Sequence, residues 1–356
     1  MKSRAHILEL ILILIALSTS IPVKRVAAQP LTPPKFTVDP FWPKPLPDRT
    51  VLAKVEGVCV DAQDHVFIVQ QKLTTPYEMA WKVLGPVVEV DADGNLVNVW
   101  RNWDVLPSLP HGCFVDKQGN VWVGGEGDAI VQKWTHDGSK VLLQIGTKGL
   151  FDTSDGTING APMNSSHTLL NRPTDIAVDP SNGDVYISDG YGNRRVVVFD
   201  REGHFLRQWG RQGTTAQVKA GVGGVFLKAV HNVTLGWDGL VYLSDRTADR
   251  VQVFDKTGNF RRSIWMKPEP DTRKGVGTAC GVAFPPDHQF MYVSDCGDDE
   301  VRVLDYATGR ALETIGRPGH ETGEMYAPHV MRIDSKGDIL VGERLNERVE
   351  LFRLVK

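Results

Sequence analysis

Positive charge is not in excess in this sequence, long apolar runs are few, and helical periodicity is absent. Lys and Arg number 40 against 43 Asp and Glu, for a net charge of −3. That balance leaves no electrostatic footprint for nucleic acid, so nucleic acid is not an expected partner. The longest largely apolar run, Ile7 to Leu17, is too short to span a bilayer. It follows Lys2 and Arg4 and has the form of a signal-peptide core, with Val26-Ala27-Ala28 before a cut ahead of Gln29. The mature chain is therefore expected to be secreted or periplasmic, with no stable membrane insertion once the signal is removed. No stretch carries the long 3.6-residue pattern of a helical protein, which turns attention to strands.

What the chain has instead is one short sentence written six times. Each copy is a strand, a turn and a second strand. The copies begin at Glu56, His111, Thr174, His231, Cys280 and His329, at spacings of 49 to 63 residues. A four-stranded propeller blade takes roughly 40–50 residues, and insertions account for the excess. The second strands are β-branched and aromatic, as in Val121-Trp122-Val123, Val185-Tyr186-Ile187 and Val241-Tyr242-Leu243. Third strands such as Val196-Val197-Val198-Phe199 follow, and turn signals such as Glu202-Gly203 and Thr257-Gly258 precede the fourth.

The expected fold is all-β, a six-bladed β-propeller. Residues 1–28 read as a signal peptide, 29–50 as an extended proline-rich segment and 51–356 as the propeller. Phe36-Thr37-Val38-Asp39 is a candidate outer strand to close the ring, which would leave no free sheet edge. Leu73–Leu84 and Thr147–Asn171 read as inserted loops.

The register carries the chemistry. At the first position the six copies read Glu56, His111, Thr174, His231, Cys280, His329. Alternate blades of six stand about 120° apart around the axis, so three histidines converge on the channel from three sides. Three imidazoles with a fourth position free is a catalytic zinc pattern. The alternative is that the histidines line a polar channel or bond to backbone. A second ring at the ends of the second strands contains Arg246 and Arg344, each suited to a substrate carboxylate or to a neighbouring acid. Asp189, Asp245, Asp295 and Glu343 stand one position earlier and are expected mainly to satisfy turn backbone. Tyr191, on the same rim, is a candidate general base whose pKa neighbouring cations would lower. Cys59 and Cys113 read as buried thiols. Cys280 and Cys296 fall opposite each other across a hairpin centred near His288 and form an expected disulfide, the alternative being a thiol at the channel mouth.

These repeats resemble NHL-type repeats, and their arrangement resembles the catalytic domain of the peptidyl-α-hydroxyglycine α-amidating lyases. The resemblance runs from Val55 to Phe352 and is carried by Leu109-Pro110-His111-Gly112, Arg172-Pro173-Thr174-Asp175, Ser188-Asp189-Gly190-Tyr191-Gly192-Asn193-Arg194, Ser244-Asp245-Arg246 and Ala327-Pro328-His329. It implies zinc at His111, His231 and His329, and an active-site tyrosine at Tyr191. The chain departs from the family at several positions. A family arginine falls on Gln71, with Arg246, Arg344 and Lys72 as replacements. A family methionine falls on Ala327. A calcium-ligating aspartate falls on Val330, so calcium carries over poorly. A cysteine pair tethering the tyrosine loop falls on Asn171 and Gly192. The implied activity is zinc-dependent cleavage of a carbinolamide C–N bond, giving an amide and glyoxylate from a substrate with a free carboxylate. Two other readings stand beside it. One is a metal-dependent propeller hydrolase of the lactonase kind, which would need carboxylate ligands. The other is a non-enzymatic NHL scaffold that binds through its rim.

Overall fold

The computed structural model describes residues 31–72, 82–267 and 276–356. The expected signal peptide and most of the first inserted loop, residues 73–81, lie outside the described residues. Six four-stranded antiparallel sheets surround a channel. The innermost strands are Lys54–Val60, Pro110–Val115, Asp175–Val178, Val230–Leu235, Ala279–Ala283 and Pro328–Ile333, one for each copy found in the sequence. In all six blades the second strand pairs antiparallel with the first.

The ring closes as expected. Phe36–Val38 pairs with Arg348–Leu354, matching Phe36 to Leu354 and Val38 to Phe352, and supplies the outer strand of blade six. Ends far apart in sequence thus share one sheet, and the third strand of the last blade, Arg348–Leu354, is paired on both sides.

The core lies between blades rather than within one. Strand side chains alternate faces, so each sheet offers an apolar face to both neighbours. Phe67 and Trp100 of blade one pack with Val121, Val123 and Trp134 of blade two. Trp122 packs with Ile176, Val185 and Ile187 of blade three. Val55 and Val58 meet Val330 and Leu340 across the closing seam. The aromatic residues Phe67, Trp122, Tyr186, Tyr242 and Tyr292 of the second strands are all buried.

The acids ending the second strands do more than expected. Asp189, Asp245, Asp295 and Glu343 pair with Arg195, Arg250, Arg302 and Arg348 of the next strand, at 2.8, 2.9, 2.7 and 2.6 Å. Three of them also accept an N–H from the chain entering the first strand: Asn171 into Asp189, Leu227 into Asp245 and Tyr326 into Glu343. The repeated Asp–Arg pair therefore locks the rim that carries the histidines.

The cysteines require a correction. Cys280 and Cys296 are bonded, with Cα atoms 5.9 Å apart, across a hairpin whose His288 is left-handed at φ 58°. Cys59 and Cys113 are bonded too, with Cα atoms 5.7 Å apart, and are not free thiols. They lie on the inner strands of adjacent blades, which run side by side within disulfide reach. Reading each strand alone could not place them together.

Candidate metal centre and active site

Blades two, four and six bring His111, His231 and His329 together, all three buried. One nitrogen of each forms a cluster whose members lie within 4.8 Å of one another. The other ring nitrogen is held in a repeating way. His111 Nδ1 donates to the Thr174 carbonyl at 2.6 Å, His231 Nδ1 to the Cys280 carbonyl at 2.7 Å, and His329 Nδ1 to the Glu56 carbonyl at 3.1 Å. In each case the carbonyl belongs to the same register position of the following blade. The six-residue ring read from the sequence is therefore three imidazoles and the three carbonyls that orient them. The two readings of the histidines, metal ligands or partners of backbone, are not alternatives: one nitrogen serves each role.

These bonds place the proton on Nδ1 and leave Nε2 as a lone pair. His231 Nε2 and His329 Nε2 approach to 3.1 Å. Two acceptors facing each other are unfavourable unless a cation stands between them. Burial, the largest effect, pushes the His111 pKa down to about 4. It drives His231 and His329 well below the ordinary value as well, with Arg246 acting in the same direction. Neutral imidazoles with oriented outer nitrogens are what zinc requires, so the donor set fits a metal. Among the described residues the cluster includes no carboxylate.

Tyr191 stands over this ring. Its hydroxyl lies 3.2 Å from His111 Nε2, 3.0 Å from His231 Nε2 and 3.1 Å from the Arg246 Nη1 that donates to it. The expected lowering of its pKa is not the net effect: burial dominates and pushes the phenol up, while Arg246 pulls it down. The loop that carries it is held by backbone. Gly192 N–H donates to the Asn171 carbonyl at 3.0 Å, and Arg194 Nη1 donates to the carbonyls of Gly190 and Gly192, each at 3.0 Å. The two positions where the resemblance puts a cysteine tether are thus neighbours here, joined by a hydrogen bond. A side chain at Gly190 would force this loop to shift, since a Cβ there would stand 1.9 Å from the Val230 carbonyl.

Above the ring lies a cavity of about 540 Å³, lined by Glu56, Glu126, Arg172, Tyr191, Arg246 and Arg344, among others. Its arginines differ. Arg344 Nε donates to Glu56 Oε1 at 2.6 Å. Arg172 is paired with Glu126 at 2.5 Å and lies over the Tyr191 ring. Arg246 lies over the same ring and pairs with no described carboxylate. Burial raises the Glu56 carboxyl to about 7, against the pull of Arg344. Gln71 is turned away, donating to the Pro110 carbonyl at 3.2 Å, and Lys72 lies over Trp103. Ala327 lines the cavity, and Val330 packs in the apolar seam without a donor for calcium. Sequence reasoning gave Arg172 no role, although it stands two residues before first-ring Thr174. The Glu56 carboxylate was likewise not placed beside His329.

An NHL repeat model matches residues 170–199, the segment that enters blade three and holds Tyr191. Peptidyl-glycine alpha-amidating monooxygenase B of Xenopus laevis is 27% identical over 282 residues, 79% of this chain and 29% of that protein. Peptidyl-alpha-hydroxyglycine alpha-amidating lyase 1 of Drosophila melanogaster is 31% identical over 148 residues, 41% of this chain and 25% of that protein.

The chain is an NHL-repeat propeller that resembles the α-amidating lyases.

Human NHL repeat-containing protein 3 is also similar, 26% identical over 269 residues, 71% of this chain and 69% of that one. The chain spans under a third of the length of the monooxygenases it matches. A streptogramin B lyase structure superposes with a TM-score of 0.57 at 12% identity, covering 90% of this chain and 98% of that one, a likeness of fold alone. These likenesses support a lyase-like propeller frame.

Proposed function

We propose that this chain is an exported zinc-dependent lyase that cleaves the C–N bond of an acyl-α-hydroxyglycine to an amide and glyoxylate. The observation that carries the reading is the convergence of three neutral histidines, each oriented through Nδ1, beneath a tyrosine hydroxyl bonded to two of them and to Arg246. Zinc at this site would supply Lewis acidity, acidifying a hydroxyl bound to it and adding positive charge beside Tyr191. That charge would act with Arg246 against the burial that raises the tyrosine.

Arg246, free of any described carboxylate partner, holds the substrate carboxylate. Tyr191, as phenolate, takes the proton of the substrate hydroxyl. The O–H pair becomes the new C=O bond of glyoxylate, and the C–N pair leaves with the amide nitrogen. Tyr191 returns the proton to that nitrogen, so atoms and charge balance. A hydrolase reading has less support, because no described carboxylate joins the histidine cluster. The two disulfides accord with export.

The test is metal analysis of purified protein together with glyoxylate release from N-benzoyl-α-hydroxyglycine. One zinc per chain and stoichiometric benzamide and glyoxylate are expected. A zinc-replete protein that releases neither would overturn the lyase in favour of a binding scaffold.

A further inference from the structure

The three histidines are not equivalent. His111 and His231 each have one short carbonyl acceptor, at 2.6 and 2.7 Å, and each contacts the Tyr191 hydroxyl. His329 has the longest carbonyl bond, 3.1 Å, and, among the described residues, no hydrogen bond to Tyr191. It alone has a carboxylate on the same nitrogen: Glu56 Oε2 lies 3.3 Å from His329 Nδ1. The other oxygen of that carboxylate, Oε1, accepts from Arg344 Nε at 2.6 Å. Glu56 is 2% exposed, so its carboxyl is fixed between the Arg344 guanidinium and the His329 imidazole.

We infer that the Glu56 carboxylate shares the His329 Nδ1 proton with the Glu56 carbonyl, and that Arg344 is a positioning residue that sets the orientation of that carboxylate, not a receptor for substrate. The inference rests on the three-histidine metal reading and goes beyond it by assigning each ligand its support. A metal-bound imidazole binds more firmly when its second nitrogen donates to a carboxylate, and outer-shell changes typically cost 10–100-fold in metal affinity. The Arg344 bond makes the two oxygens unequal: one is taken by the guanidinium, and one remains for the histidine.

That geometry predicts an unusual order among variants. In Glu56→Gln the side chain keeps its shape but has one oxygen. Arg344 claims it, and the amide NH2 is turned toward the Nδ1–H of His329, donor against donor. In Glu56→Gln/Arg344→Met nothing holds the amide, which is free to rotate and offer its oxygen to His329. The experiment is zinc affinity of the folded full chain, measured by competition with a chromophoric chelator. Glu56→Gln is expected to weaken zinc by roughly 10–100-fold. Arg344→Met alone is expected to leave affinity within about threefold, since the carboxylate remains. The double variant is expected to recover part of the Glu56→Gln loss, a coupling that only residues in direct contact should show.

Unchanged zinc affinity in Glu56→Gln, or a double variant weaker than either single change, would overturn the assignment while the metal site stands. A wild-type chain that takes up no zinc would overturn the metal reading itself, and this inference with it. An Arg344→Met variant with normal zinc affinity but a KM raised tenfold for carboxylate substrates would return Arg344 to the substrate.

Discussion

Replacing Tyr191 with Phe removes one oxygen from the centre of the site. That oxygen touches His111, His231 and Arg246 at 3.0 to 3.2 Å. The ring stays, with its edge-on packing against His111 and His231 at centroid distances of 5.2 and 5.6 Å. The three Nδ1 bonds that orient the histidines do not involve Tyr191. Zinc content should therefore hold at wild-type level. Arg246 loses an acceptor, a cost of about 1–3 kcal/mol in stability where the donor is left unsatisfied. On the proposed mechanism, catalysis loses the group that moves the proton, and general acid–base catalysis contributes typically 10²–10⁴-fold. The turnover number should fall by that factor, which corresponds to about 3–5 kcal/mol of barrier. KM should change little, because the substrate carboxylate is assigned to Arg246. The assay is glyoxylate release under saturating substrate, with zinc measured on the same sample. A zinc-replete Tyr191→Phe protein retaining turnover within about threefold of wild type would refute the proton-transfer role.

Peptide mapping without reduction should recover both disulfides and no free thiol. Opening Cys59–Cys113 by a double Ala substitution should cost about 4 kcal/mol on the chain-entropy estimate for its separation of 54 residues. Denaturant unfolding measures that loss, and an unchanged midpoint would contradict it. Gly190→Ala should fold but lose most activity, because its Cβ meets the Val230 carbonyl and must displace the Tyr191 loop; full turnover would show that the loop tolerates movement. Glu350 supplies a pH test. Burial raises its carboxyl to about 7, although Arg348 lies 3.3 Å away. Burial prevails because Arg348 is already bound to Glu343 at 2.6 Å and Glu350 Oε2 has no partner. The unfolded carboxyl titrates near ~4.3, so the folded state binds the extra proton. Its contribution to stability is full below that value and is lost as pH rises through about 7. Glu350→Gln should flatten this decline, and urea midpoints that fall just as steeply between pH 4.5 and 7.5 would disprove it.

The features legible in the sequence were those with a local period. Alternation at two residues set the strands, and the recurrence of one strand–turn–strand unit set the number of blades. Because each histidine occupies the same position of its unit, the repeat alone brought His111, His231 and His329 to one channel, and Tyr191 and Arg246 to the rim above it. The closing strand at Phe36–Val38 was legible for the same reason, as an apolar segment with no blade of its own.

What only tertiary structure decided lies between blades. The carbonyl partner of each histidine comes from the next blade, and the carboxylate beside His329 comes from Glu56 at the opposite end of the chain. Cys59 meets Cys113, Arg172 meets Glu126, and Arg344, suited in the sequence to a substrate carboxylate or to a neighbouring acid, meets the acid Glu56. None of these pairs shares a blade. A repeat specifies its own strands through hydrogen bonds between neighbouring segments. Which side chains face each other across the seam depends on how adjacent twisted sheets pack, and that is set only when the ring has closed.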